Sequence, residues 1–171
     1  NKALTADERD VILAGLDEMI SVAQEGINIA TGWLEENSEL AKRFANFDTG
    51  HMGLIKDGAL ELYDGNIRLV DSDGTLLEEF EPKDYLIYIG EHVEDWSYLK
   101  FPFYKKKGWP DGVYRVGPLG RLNVASHVTT PLAAQEFEHF KAIGEGAPVQ
   151  ETLYYHYARL IEILYALERT R

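Results

Sequence analysis

The chain has 171 residues, 45% hydrophobic and 27% charged, which is the size and balance of one globular domain with a proper core. Its 17 Lys and Arg face 29 Asp and Glu, a formal net charge of -12; so acidic a surface repels phosphate backbones and anionic lipid, arguing against nucleic-acid and membrane-surface partners. Cysteine is absent, which excludes disulfides and thiolate metal sites, and no run approaches the roughly 20 apolar residues of a membrane span.

The first stretch, residues 1–47, reads as helical. Thr5 and Glu8 form a capping box. Ile12, Leu16, Met19, Ala23, Ile27, Ala30 and Leu34 then recur in steps of three and four, the spacing of one helix face. Unbroken to Glu36, this helix is about 46 Å long; Gly15, Gly26 and Gly32 are the places where it could kink or break. A shorter helix is expected over 39–45, with Leu40, Phe44 and Phe47 turned inward.

At Asp48 the pattern changes. Asp57-Gly58, Asp64-Gly65 and Asp73-Gly74 punctuate short, partly alternating runs. Asp-Gly supplies the positive φ angles of tight hairpin turns, so 48–81 reads as an antiparallel meander of three or four strands, running from His51 to Phe80. Pro82 ends it. Residues 83–90 read either as a short helix or as another extended segment. The stretch 82–129 is rich in aromatics, Gly and Pro, and predicts ordered loops with short strands at 97–100 and 113–116. Two helices fill 130–171. The first opens at Thr130-Pro131, with Pro at the first helical position, and stops near Gly144. The second starts near Pro148 and carries Leu153, Tyr157, Leu160, Leu164 and Leu167. The whole reads as a single α+β domain with long helices at both ends, packed together over one face of the meander. Asn1 and the unfinished helical pattern at Arg171 predict that both ends are cuts within a longer sequence.

Among candidate chemistries, Glu136 and His139 share a helix face and could contribute to a carboxylate–histidine metal site, but such sites need a second copy and two further glutamates. Ser126-His127 are adjacent, with no Gly-x-Ser-x-Gly elbow nearby, and read as a polar loop. No phosphate-binding glycine motif is present. Lys105-Lys106-Lys107 reads as a solvated loop. The sharper signal is aromatic. Trp96, Tyr98, Phe101, Phe103, Tyr104, Trp109 and Tyr114 crowd into one stretch, more than an isolated loop region buries, which makes it a candidate interface.

Two parts of this region are also familiar. Trp96-Ser97-Tyr98-Leu99-Lys100-Phe101-Pro102 and Tyr114-Arg115-Val116-Gly117-Pro118-Leu119-Gly120-Arg121-Leu122-Asn123 resemble the central region of [NiFe]-hydrogenase large (alpha) subunits, of the cytoplasmic NAD-linked or viologen-reducing type. Tyr155–Glu168 resembles the helix that follows there, and Asn1-Lys2-Ala3-Leu4 the segment after its Pro-Gly-Gly stretch. Gly120 stands where that family usually has Ala. The resemblance implies a parent that oxidises H2 reversibly to protons and electrons, a cytoplasmic location, and two partners: an iron–sulfur small subunit, and the rest of the large subunit. It also implies a nickel–iron centre held by four cysteines near the ends of the parent chain. None of those motifs occurs here, so the expectation for this chain is a scaffold with no catalytic, cofactor or metal residues of its own, inactive alone. Trp96, Tyr98, Trp109, Arg115, Gly117, Pro118 and Arg121 remain as interface or structural candidates, Gly117-Pro118 as a turn and the arginines as partners of carboxylates or of the missing parts. The alternative is a stand-alone protein-binding module that uses 96–114.

Overall fold

The computed structural model describes residues 3–171; the Asn1-Lys2 portion of the amino-terminal resemblance lies outside the described residues. The first helix, α1 (Ala6–Glu36), is one unbroken element. Its capping box is complete: the Thr5 hydroxyl accepts from the Glu8 N–H at 3.2 Å, and the Glu8 carboxylate accepts from the Thr5 N–H at 2.8 Å. Leu16, Ile20, Ala23, Ile27 and Leu34 are the buried face. Ile20 takes the place expected for Met19, which is exposed. The short α2 (Ser38–Arg43) buries only Ala41. Leu40, Phe44 and Phe47, expected inside, are exposed. α2 ends at Arg43 with Phe44 already extended, so of the three only Leu40 lies on the helix and no common helix face turns them inward.

The meander is present as β1 (Gly50–Lys56), β2 (Ala59–Leu60), β3 (Asn66–Val70) and β4 (Leu76–Phe80), in spatial order β2-β1-β3-β4 and antiparallel. Asp57 and Gly58 both take positive φ, 52° and 82°, the geometry that lets a two-residue turn join Lys56 to its partner Ala59. Beyond Leu60 the chain leaves the sheet, because the Glu61 carboxylate accepts the N–H groups of Leu62 and Tyr63 at 2.8 and 3.2 Å.

Residues 83–90 resolve into both alternatives. A 3-10 turn (Pro82–Asp84) and α3 (Tyr85–Tyr88) run directly into β5 (Ile89–Val93). β5 pairs with β6 (Lys100–Tyr104) in a separate hairpin. The strand expected at 97–100 is therefore the hairpin loop, displaced because the pairing begins only at Lys100. β7 (Tyr114–Arg115) adds to β1 in parallel.

Next comes α4 (Gly117–Val124), a helix where loop was expected. Gly117, Pro118 and Gly120 read locally as a turn. Burial of Leu119, Leu122 and Val124 overrides that propensity. α4 also corrects the layering. The end helices do pack together, but it is α4 that lies on the sheet, against β1 and β3, with α6 stacked over it. Gly53 on β1 makes this close approach possible: a Cβ there would sit 2.7 Å from the Arg121 Cα. Gly120 answers from the helix side, where a Cβ would sit 2.8 Å from the carbonyl oxygens of Met52 and Arg115.

α5 (Pro131–Ile143) begins and ends as expected. α6 (Tyr154–Thr170) starts six residues after Pro148, because the intervening backbone bonds to Asn123 and Arg115 instead. The main core lies between α1, α4, α5 and α6, around Leu122, Phe137, Phe140, Tyr157, Ile161 and Tyr165. No helix of the described residues is long and apolar enough to cross a membrane.

Candidate interface

The structure divides the singled-out residues into a surface group and an internal group. The surface group sits on the β5–β6 hairpin. There Trp109 stacks on His92, with ring centroids 4.4 Å apart and planes 11° from parallel. Phe101 and Phe103 meet its other edges at 5.7 and 6.3 Å. Trp96 leans on Phe101 at 6.0 Å yet is 78% exposed, and Tyr98 at the tip is 97% exposed. The His92 ring also contacts the Glu94 carboxylate at 2.8 Å. The result is a stiff aromatic platform with two large side chains held out from it. Aromatic pairs of this geometry are worth about 1 kcal/mol each beyond their area.

Beside it lies a groove of about 930 Å³ between the hairpin, α3 and the sheet, bordered by Met52, Ile67, Tyr85, Leu86, Pro102 and Phe103. Tyr85, Leu86 and Ile87 are exposed, and extend the apolar surface. α3 is the short helix that was one of the two readings of 83–90; the signal that favours it is the four-residue apolar run Tyr85–Tyr88 directly after a Pro-initiated turn. The basic run is not a free loop. Lys106 reaches Glu78 and Lys107 reaches Asp71, with Lys105 donating to the Leu86 carbonyl. These contacts tie the loop between β6 and β7 to the sheet and to α3.

The internal group holds the layers together. Arg115 is buried and donates to the carbonyls of Gln150 and Ala45, with its guanidinium 4.3 Å from the Phe47 ring centroid. No carboxylate pairs with it among the described residues, and burial pulls its pKa down. Arg121 does meet a carboxylate: it grips Glu162 through two bonds of 2.6 and 2.7 Å, a bidentate fork that joins α4 to α6. That bond, ahead of any other influence, raises its pKa. Gly117, at φ 76°, and Pro118 open α4, so the expected turn is a helix start. A buried polar cluster that sequence reasoning missed lies alongside. Asn123 bonds both backbone groups of Val149 at 2.9 Å and donates to His51 Nδ1 at 3.2 Å.

The remaining candidates are engaged locally. Glu136 accepts from the Tyr157 hydroxyl at 2.8 Å and lies 3.8 Å from His139. No set of three or more His, Asp or Glu side chains converges among the described residues. Ser126 accepts from Arg68 at 3.2 Å, and the His127 carbonyl takes the Leu60 N–H. Neither approaches a nucleophile–base pair.

No protein-family model matches the chain. It is 43% identical over 170 residues, 99% of its length, to the A-type subunit of the vhu F420-non-reducing hydrogenase of Methanocaldococcus jannaschii. It is 38% identical over 175 residues to the beta subunit of the NAD-reducing hydrogenase HoxS of Cupriavidus necator. Among solved structures it matches a chain of NAD+-reducing [NiFe]-hydrogenase in the H2-reduced state, with a TM-score of 0.92, 34% identity and 99% of this chain covered. The chain spans about 40% of the first relative's length, 36% of the second's and 38% of the solved chain. It is thus related along its length to hydrogenase subunits. The expected placement in a large (alpha) subunit is corrected: the relatives are designated A-type and beta. The motifs that suggested it lie on the β5–β6 hairpin and in the packing of β7, α4 and α6, and local structure carries no such designation.

Proposed function

We propose that this chain is a structural core portion of a hydrogenase subunit of the A or beta kind, silent by itself, within an assembly that oxidises H2 reversibly to protons and electrons. What supports the reading is the likeness of the entire fold to one part of a solved [NiFe]-hydrogenase chain. A nickel–iron or iron–sulfur group calls for soft thiolate donors. This chain has no cysteine, so its residues do not fit such a group, which other parts of the assembly would have to hold. Its own residues supply rigidity: Arg121 with Glu162, Asn123 with His51, and a hairpin that presents Trp96 and Tyr98. Its partners on this reading are an iron–sulfur companion that takes the electrons, and the rest of the same subunit. A cytoplasmic setting accompanies the likeness to the NAD-reducing enzyme.

A second reading, a stand-alone binding module, has one observation in its favour: Trp96 and Tyr98 are held out on an aromatic platform. The first experiment is elemental analysis of the purified chain by mass spectrometry, together with an H2-dependent viologen-reduction assay. The expected result is no stoichiometric Ni or Fe and no turnover. Metal at one or more equivalents, or viologen reduction by the pure chain, would overturn the silent-scaffold reading.

A further inference from the structure

The long helix α1 carries two apolar stripes, and this chain covers only one. Leu16, Ile20, Ala23, Ile27, Ala30 and Leu34 follow steps of four and three, the knobs-into-holes spacing. They face α6, which runs antiparallel: the space beside Gly26 meets Leu160, and Arg171 pairs with Asp17. One residue earlier at every step stand Gly15, Met19, Val22, Gly26, Ile29 and Trp33. They repeat the same rhythm about 100° around the helix. None is buried; Val22 is 61% and Ile29 67% exposed. This second stripe is about 27 Å long and without a single polar residue. Half the circumference of α1 is therefore apolar, twice what one neighbouring helix covers.

The bare stripe has the features of a seat for a helix. A straight four-three repeat matches a helix crossing at a shallow angle, not a strand or an irregular loop. Gly15 costs about 1 kcal/mol against alanine in a helix interior, and only the Met19 methyl lies within 4 Å of the space beside it; Gly26 forms the margin where the stripe meets Leu160 of α6. At its carboxyl-terminal half, Leu153, the residue before α6, and His156 on α6 wall the stripe into an apolar groove of about 310 Å³. Charge selects the occupant. Glu18, Glu25 and Glu36 line the flank of the stripe, exposed and with no cation paired to them among the described residues. In helix pairs, flanking charges choose the partner. A second copy would set acid against acid on a chain of net charge -12.

We propose that this second face of α1 is a docking seam for a partner helix with a narrow apolar stripe flanked by Lys or Arg. This goes beyond the hydrogenase reading and does not depend on it. The test uses two synthetic helical peptides of about three heptads each, with identical Leu/Ala seams, one flanked by Lys and the other by Glu. Binding to the purified chain is followed by calorimetry and by the Trp33 indole N–H resonance. The Lys-flanked peptide should bind about tenfold or more tightly than the Glu-flanked one, less so in high salt. The Val22→Lys/Ile29→Lys double variant should lose about tenfold or more while keeping its circular dichroism. A Tyr98→Ser variant should bind as the parent does. Absence of binding, equal binding of the two peptides, or binding that survives the double substitution overturns the proposal. So does a homodimer broken by V22K/I29K, which would give the seam to a second copy. The H2 assay enters none of these outcomes, so either proposal can fail without the other.

Discussion

His51 is wholly buried, and its surroundings keep the imidazole neutral. Burial is the main cause, with the nearby Arg115 charge second and Lys141 a further contribution; together they bring the pKa from 6.5 to about 4 against an opposing bond from Gln150. Asn123 donates to Nδ1, which it can do only while that nitrogen is unprotonated. The folded pKa lies below the unfolded one, so between about pH 6.5 and 4 the unfolded chain binds more protons and stability falls as pH falls. From pH 7 to pH 5 the wild-type chain should lose about 2 kcal/mol of unfolding free energy that the His51→Gln variant does not lose. Urea unfolding of both proteins at the two pH values checks it, and equal losses would show that His51 is not the source. None of this was legible in the sequence, where His51 is one of five scattered histidines. Its partners come from α4 and from the segment before α6, more than seventy residues away. Arg121 was legible in part: a carboxylate partner was one of two options, and only the stacking of α6 on α4 selects Glu162.

At the scale of elements, helix starts and hairpin turns were the most readable features, because each depends on residues a few positions apart. The Thr5–Glu8 box, the Asp57-Gly58 turn and the Pro131 start are all of this kind. α4 was not readable, since Gly120, present for contact with β1, and Gly117, at positive φ, argue locally against a helix. Gly53 tests that account. A methyl group there would press on the Arg121 backbone and on Val124, so Gly53→Ala should destabilise the fold by about 2 kcal/mol. Gly32 on α1 is the control, with nothing within 4 Å of an added Cβ. Gly32→Ala should stabilise by about 1 kcal/mol, through helix propensity and a less flexible unfolded chain. Thermal unfolding of the two variants should move in opposite directions; a shared sign would mean that packing at Gly53 is looser than the geometry implies.

The whole molecule leaves two apolar regions open, the second stripe of α1 and the face formed by α3 with the β5–β6 hairpin. Exposed apolar surface on this scale marks sites of association. The folded chain should therefore enhance the fluorescence of an apolar dye at neutral pH while its near-ultraviolet circular dichroism remains that of a packed protein. V22K/I29K should remove part of the signal. Native dichroism with negligible dye binding would favour the stand-alone module, whose apolar surface would be confined to the hairpin tip.

By itself the sequence determined the helices at the two ends, the meander between them, the acidic surface and the absence of thiolate ligands. Each follows from composition or from spacing within one or two turns of chain. Tertiary structure alone decided that α4 covers the sheet, that Arg115 is satisfied by carbonyls and Arg121 by Glu162, and that the Lys105–Lys107 run is tied down. It also decided which of two equally apolar stripes on α1 meets α6. Those outcomes turn on which distant surfaces come to share one interior, and hydrophobic periodicity states that a face will be buried without stating what will bury it.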